Sequence, residues 1–201
     1  MLNLPDQYLQ CKNTQTDINE HLETLFTYAS HNNIKNIIEF GTRFGDSTTA
    51  FLYAIEKTDK TFQSYDLFRS DNINDFEQHK NYKFNQEDTL QCNISETDIL
   101  FIDTLHTYFQ LYSELKRHSK QVKKYIILHD TTSFGISDET LYSSDCVVQM
   151  SNLVSPSEKQ GLIAAINDFL VDELDGINWE IKKIYTNNNG LTIIQRINKN
   201  E

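Results

Sequence analysis

Hydrophobic positions along this chain switch repeatedly between a helical and an extended period. From Asn19 to His31, Leu22, Leu25, Phe26 and Ala29 recur three or four residues apart, and the run stops at a polar His-Asn-Asn. Asn36-Ile-Ile-Glu-Phe40 then reads as a short strand running straight into Gly41, and 47–55 reads as a helix with Ser or Asp near its start as a cap. The alternation continues with a strand over 61–67, a short helix over 73–80 and a strand over 82–85. Asp98-Ile-Leu-Phe-Ile-Asp103 is an unbroken apolar run bounded by acids, the form a strand takes when both of its faces are buried. A helix over 108–122 and a buried strand over 125–128, ending at His129-Asp130, follow. Repeated β-α-β alternation predicts a parallel sheet with helices on both faces.

The last third has a different texture. Residues 135–156 are polar and irregular, longer than an ordinary connection, and read either as a lid or as a poorly ordered excursion. Residues 161–174 carry Leu162, Ile163, Ala165, Ile166, Phe169 and Leu170 on one broad face, which predicts a helix. Two β runs, 179–185 and 191–197, are joined by Thr186-Asn-Asn-Asn-Gly190, a hairpin signal. The fold class is therefore α/β: a Rossmann-like, doubly wound, mostly parallel seven-stranded sheet ending in a C-terminal antiparallel hairpin.

Composition narrows the partners. The 201 residues include 18 basic and 29 acidic side chains, net −11, which argues against a nucleic-acid binder because phosphate binding relies on clustered Lys and Arg. Three widely spaced cysteines give neither a disulfide framework nor a zinc pattern and point to a reducing compartment. The start Met-Leu-Asn-Leu-Pro-Asp has no basic or apolar leader, and no apolar run approaches a membrane span, so a cytoplasmic address is expected.

In an open α/β sheet, ligands bind outside the carboxyl ends of the strands. Glu39, Asp66, Asp88, Asp103 and the pair His129-Asp130 all fall at such ends, as a cleft would require and as solvated strand ends would also allow. In the loop Glu39-Phe-Gly-Thr-Arg-Phe-Gly-Asp-Ser47, Gly41 permits a tight turn, and Gly45 permits close approach of backbone to a ligand. The amides of Gly45, Asp46 and Ser47 open a helix and suit a carboxylate, although an ordinary βα turn would look similar. It is not the dinucleotide fingerprint, whose glycines would fall at Arg43 and Asp46. Asp66, about twenty residues on, suits the hydroxyls of a ribose. Loop and acid together indicate a nucleoside-bearing cofactor without a central phosphate.

The segments Ile38-Glu-Phe-Gly-Thr-Arg-Phe-Gly-Asp-Ser47, Tyr65-Asp66, Asp98-Ile-Leu-Phe-Ile-Asp-Thr-Leu-His-Thr-Tyr108 and Ile126-Ile-Leu-His-Asp-Thr131 resemble class I S-adenosylmethionine-dependent methyltransferases. The closer likeness is to the small O-methyltransferases of the cephalosporin-hydroxylase-like and sugar O-methyltransferase group (methyltransferase family 24 type), and it runs from about residue 34 to 197, leaving 1–33 as an N-terminal helical segment before a cofactor domain over 34–201. The resemblance implies that Glu39, Gly41, Gly45, Asp46 and Ser47 line the methionine end of the cofactor, that Asp66 takes the ribose, and that Asp88 lies beside the adenine. It places Asp103 between the cofactor and the reacting centre, and it implies a divalent metal, magnesium or manganese, at Asp103, His129 and Asp130. The chain departs from the family at Thr104-Leu105, at Val122-Lys-Lys124 and at His129, where an imidazole suits manganese or iron better than magnesium.

His106, three residues beyond Asp103, reads as a general base or as a histidine bonded to backbone. His21, His31, His79 and His118 read as solvated, and Lys116, Arg117, Lys120, Lys123 and Lys124 as the wet face of a helix or a site for an anionic group. The function expected is methyl transfer to a hydroxyl of a sugar, glycoconjugate or other small molecule, with His106 and Asp103 catalytic; relatives of this type often form homo-oligomers, and the sequence leaves the oligomeric state open. The alternatives are a cofactor-binding regulatory subunit and a nicotinamide-dependent oxidoreductase.

Overall fold

A computed structural model describes residues 3–140, 159–172 and 177–197. Five parallel strands form the centre of the sheet: β1 (Asn36–Phe40), β2 (Thr61–Asp66), β3 (Tyr82–Gln86), β4 (Thr97–Ile102) and β5 (Val122–His129). β6 (Asn178–Tyr185) and β7 (Leu191–Ile197) complete it as the antiparallel hairpin that the Asn/Gly linker announces. The seven strands lie in the order β3-β2-β1-β4-β5-β7-β6, so the chain reverses direction across the sheet between β1 and β4.

Alternate strand residues feed two cores. Ile37, Phe62, Phe84, Ile99, Phe101 and Ile127 pack under α1 (Leu4–Asn13), α2 (Leu22–Ser30) and α3 (Asp46–Ile55), while Ile38, Phe40, Leu100, Ile102, Ile126 and Leu128 pack under α5 (Tyr108–His118) and α6 (Leu162–Val171). A short α4 (Ile73–Phe76) adds Ile73 and Phe76 to the first core. β4 is buried along its whole length, as its unbroken apolar run requires.

Several local expectations are corrected. The strand expected over 125–128 begins at Val122, which pairs with Thr97 of β4 and whose carbonyl accepts from the Arg196 side chain of β7. The two lysines point outward to Glu96 and Asp98, Lys116 pairs with Asp172 at 3.0 Å, and Arg117 bonds the carbonyls of Gln91 and Cys92. This cluster thus knits helix to loop. His21 and His118 are buried, not solvated: His21 Nε2 lies 3.0 Å from the Asn187 carbonyl, and His118 Nε2 lies 2.7 Å from the Thr89 carbonyl. Of the irregular stretch over 135–156, residues 141–156 lie outside the described residues, as do 173 and 174 of the expected helix.

Candidate active site

A cavity of about 920 Å³ opens at the carboxyl ends of β1, β2, β4 and β5, where the strand order reverses. Gly41, Gly45, Asp46, Ser47, Asp66, Asp88, Asp103, His106 and Asp130 all lie on its wall. Two expected residues do not, Glu39 and His129.

Glu39 is fully buried behind the loop. Its carboxylate accepts hydrogen bonds from Ser47 (2.6 Å), Thr48 (2.7 Å) and Ser64 (2.6 Å), fastening the start of α3 to β2 instead of facing a ligand. Burial pushes its pKa up to about 7, with the three hydroxyls offsetting only part of the rise.

Gly41 turns with φ +83°, and a Cβ there would fall 2.0 Å from the Asp103 carbonyl oxygen, so the loop after β1 rests directly on the end of β4. At Gly45, also on the cavity wall, a side chain would meet the Phe76 ring at 2.4 Å. Arg43 adopts a left-handed φ of +46° at the position where a dinucleotide fingerprint carries glycine. Its guanidinium reaches Asp17 at 2.7 Å.

Asp66 is the organiser of this loop. Its Oδ2 accepts from the Thr42 amide (2.8 Å), the Thr42 hydroxyl (2.9 Å) and the Arg43 amide (3.3 Å), and its Oδ1 accepts from the Phe68 amide (2.9 Å). A carboxylate offers about four lone-pair positions, so a ribose would have to displace one of these donors. Asp88 similarly accepts from the Leu90 amide at 2.8 Å and the Gln91 side chain at 2.7 Å, shaping the turn after β3.

At the other end, Asp103 Oδ1 lies 3.3 Å from His106 Nε2 and 3.3 Å from His129 Nδ1. Asp130 Oδ2 lies 2.8 Å from His106 Nε2 and 3.5 Å from His129 Nδ1. Glu139, from the irregular stretch, holds His106 Nδ1 at 2.9 Å, and Phe134 stacks on the ring at 4.7 Å. Burial alone would lower the His106 pKa, but hydrogen bonds to Asp103, Asp130 and Glu139 raise it to about 11. Burial alone would raise Asp103, but the two imidazoles hold it well below the usual carboxylate range. The three carboxylates thus favour the protonated ring in this arrangement. Asp103 contributes most to the rise, then Asp130, then Glu139, and of the three only Glu139 carried no local signal.

Asp103, His129 and Asp130 each offer one ligating atom, all within 4.8 Å of one another. Asp130 is buried, takes a left-handed φ of +58°, and its Oδ1 has no hydrogen-bond partner among the described residues. A non-glycine residue held in that conformation and an unpaired buried carboxylate oxygen both cost free energy that a cation would offset, so the residues fit a divalent ion.

Other wall residues were missed by sequence reasoning. Thr16, Asp17 and Ile18 come from the N-terminal segment, and Asn189 comes from the hairpin. Glu114 is buried in α5, accepting from Thr89 (2.5 Å), Gln110 (2.7 Å) and Thr104 (2.9 Å), and so ties two cavity loops to one helix. Its signal was present: Glu114 sits among Leu111, Leu115 and His118 at helical spacing, on the buried face.

No protein-family model matches the sequence, and no curated protein is similar to it. Solved structures do resemble it. The methyltransferase PaMTH1 of Podospora anserina, solved with SAH bound, superposes with a TM-score of 0.62 at 14% identity, over 98% of this chain and 89% of that one. A putative caffeoyl-CoA O-methyltransferase from Staphylococcus aureus gives 0.60 at 17% identity, over 98% and 93%. Cofactor-bound Rv0187 from MTB gives 0.59 at 13% identity, over 97% and 90%. The chain has the Rossmann-like fold of the class I S-adenosylmethionine-dependent methyltransferases, with a seven-stranded sheet closed by an antiparallel pair.

Proposed function

We propose that this protein is an S-adenosylmethionine-dependent O-methyltransferase acting on a hydroxyl of a sugar, glycoconjugate or other small acceptor. The observation that carries the reading is the cavity at the β1/β4 switch point, with a glycine loop at one end and an Asp103–His106–Asp130 cluster at the other. Residues 34–201 form the cofactor domain in this reading, and 1–33 an appended segment that supplies Thr16, Asp17 and Ile18 to the wall.

When bound, the cofactor supplies a methyl group already activated on a positively charged sulfur. The protein's main task is then alignment, a contribution worth roughly 7–11 kcal/mol when reacting groups are well oriented. Gly41 lets the loop close against β4, the start of α3 presents its positive end at Asp46 and Ser47, and Asp66 holds Thr42 and Arg43 in place. The carboxylates of Asp88 and Asp103 suit a cofactor that carries positive charge and hydroxyl donors, and Asp66 would take a ribose hydroxyl in exchange for one of its loop donors.

An aliphatic hydroxyl is a poor nucleophile near neutral pH, so a proton acceptor is wanted, contributing about 10²–10⁴-fold. Asp103, His129 and Asp130 would hold a divalent ion, which would supply Lewis acidity beside the acceptor oxygen. Glu139 holds the His106 ring through Nδ1, and Nε2, beside Asp103 and Asp130 on the cavity wall, is the atom that would exchange a proton with the acceptor hydroxyl. The test is direct. Calorimetry should detect S-adenosylmethionine binding and no NAD binding, and S-adenosylhomocysteine should form with at least one member of a sugar and polyol panel. NAD binding in place of S-adenosylmethionine would sink the proposal.

A further inference from the structure

We propose that the acceptor of this protein carries no phosphate or carboxylate group, and that the charge of the cavity turns away phosphorylated, nucleotide-linked and coenzyme A-linked hydroxyl compounds. The inference rests on the methyltransferase reading and narrows its substrate class.

Eight carboxylates line the cavity, among them Asp17, Asp46, Glu87 and Glu139. Among the described residues, Arg43 is the one Lys or Arg side chain on that wall. Arg43 is already engaged: its guanidinium donates to Asp17 at 2.7 Å, and the charges of Asp103 and Asp130 also act on it. Lys116, Arg117, Lys123 and Lys124 bond acids and carbonyls away from the cavity. Residues 141–158, which lie outside the described residues, include no Lys, Arg or His.

The excess of negative charge survives occupation. The donors that shape Asp66 and Asp88 are amides and a hydroxyl, neutral dipoles that leave a carboxylate's charge in place. S-adenosylmethionine brings one net positive charge, its sulfonium and ammonium set against its own carboxylate. Add a divalent ion at Asp103, His129 and Asp130, the Arg43 guanidinium and an imidazolium at His106, and the wall carboxylates still outnumber the positive charges. Asp130 gives a sign independent of this count. It lies on the wall, is buried, and its Oδ1 has no hydrogen-bond partner among the described residues, a lone pair placed for a donor or a cation and not for another anion. A cleft walled by low-dielectric protein concentrates such a field on whatever enters it. A phosphate oxygen beside Asp130 or Glu139 would meet like charge, whereas a hydroxyl or an ammonium would find an acceptor.

The experiment uses the full-length protein with manganese supplied throughout. S-adenosylhomocysteine release is followed with glucose, glucosamine and a glucose phosphate, and with catechol, dopamine and caffeoyl-CoA. Within each set, kcat/KM for the anionic member should fall about 10-fold or more below that of the neutral one. The gap should narrow as salt rises from about 0.01 M to about 1 M, where the Debye length drops from about 30 to about 3 Å. Asp17→Asn, which removes one carboxylate and releases Arg43, should narrow the same gap at low salt. A second arm needs no acceptor. S-adenosylmethionine differs from S-adenosylhomocysteine by a methyl group and one positive charge, so calorimetry at low salt should find it the tighter ligand, with the difference closing at high salt. If no panel member is methylated, this arm decides. An anionic acceptor that matches its neutral partner, a gap indifferent to salt, or S-adenosylhomocysteine binding as tightly as S-adenosylmethionine at low salt would each overturn the inference and leave the methyltransferase reading standing. A protein that binds neither cofactor form removes that reading and this inference with it.

Discussion

Glu39 and Glu114 lie in the interior among neutral donors, whereas Asp103, at the end of the strand beside Glu39's own, lies among imidazoles. Burial raises the pKa of all three. Hydroxyl and amide dipoles offset only part of that rise, leaving the two glutamates at about 7. The imidazoles beside Asp103 reverse it, because a full positive charge in a poorly solvated place outweighs several dipoles. Residue type and burial thus leave the role of an acid open, and the charge of its partners decides it. The glutamates are fasteners behind the wall; the aspartate is an anion on the wall.

The sharpest way to break this contrast is Asp103→Asn, which removes the anion from the cluster. Turnover, read as S-adenosylhomocysteine release with an accepted hydroxyl substrate, should fall about 10²–10⁴-fold. Retention of the parent rate would move the reacting centre elsewhere.

Gly41→Ala attacks the spacer between the two kinds of acid. A methyl group 2.0 Å from the Asp103 carbonyl, on a residue with φ +83°, should cost at least about 1–3 kcal/mol in urea unfolding through backbone strain.

Truncating a fastener should cost somewhat less. Glu39→Ala or Glu114→Ala leaves buried donors without an acceptor, a loss of about 1–3 kcal/mol per stranded group before the hydroxyls find one another. Glu→Gln at either site keeps the shape and should cost less than the alanine; an alanine variant as stable as the parent would deny the fastening role.

The pH response follows from the same contrast. Each glutamate has a folded pKa of about 7 against an ordinary 4.5, so the native state binds more protons than the unfolded one across that window. Their contribution to stability is fully present below about pH 4.5 and is lost as pH rises through about 7. Asp103 acts in the opposite sense, stabilising above the ordinary carboxylate range and losing that contribution as pH falls toward its depressed pKa. Urea unfolding at pH 5 and pH 7.5 should therefore show a smaller drop for the double variant Glu39→Gln/Glu114→Gln than for the parent. Identical drops would mean that both glutamates are ionised throughout.

The smallest effect belongs to a third kind of acid. Asp17 pairs with Arg43 at 2.7 Å with both side chains substantially exposed, and such pairs contribute about 0–1 kcal/mol. Arg43→Ala should leave stability within that range while opening the cavity rim, visible as faster cofactor association in stopped flow.

Much of the fold was legible because its signals are local. β1 from Asn36 to Phe40 and the hairpin at Asn187–Gly190 follow from apolar runs and turn residues a few positions apart. Boundaries slipped where a distant strand decided them, as the pairing of Val122 with Thr97 of β4 did for the start of β5. The burial of His21 and His118 was hidden because neither carries a local mark of the carbonyl that accepts from it, and the Asn187 carbonyl lies 166 residues from His21.

The sequence by itself determined the order of the elements, the parallel sheet with its antiparallel close, and the row of acids at the strand ends, since all of these depend on periodicities of two and 3.6 residues and on turn chemistry. Tertiary structure alone decided what each acid does. Glu39 turned inward to hydroxyls, Asp66 was filled by loop amides, and Asp103 met two imidazoles. Glu139 met His106 across 33 positions, and the Asp17 and Asn188 carbonyls met His129 from opposite ends of the chain. Electrostatic energy depends on distance in space, and no local pattern in a chain encodes which distant dipole or charge will arrive within 3 Å.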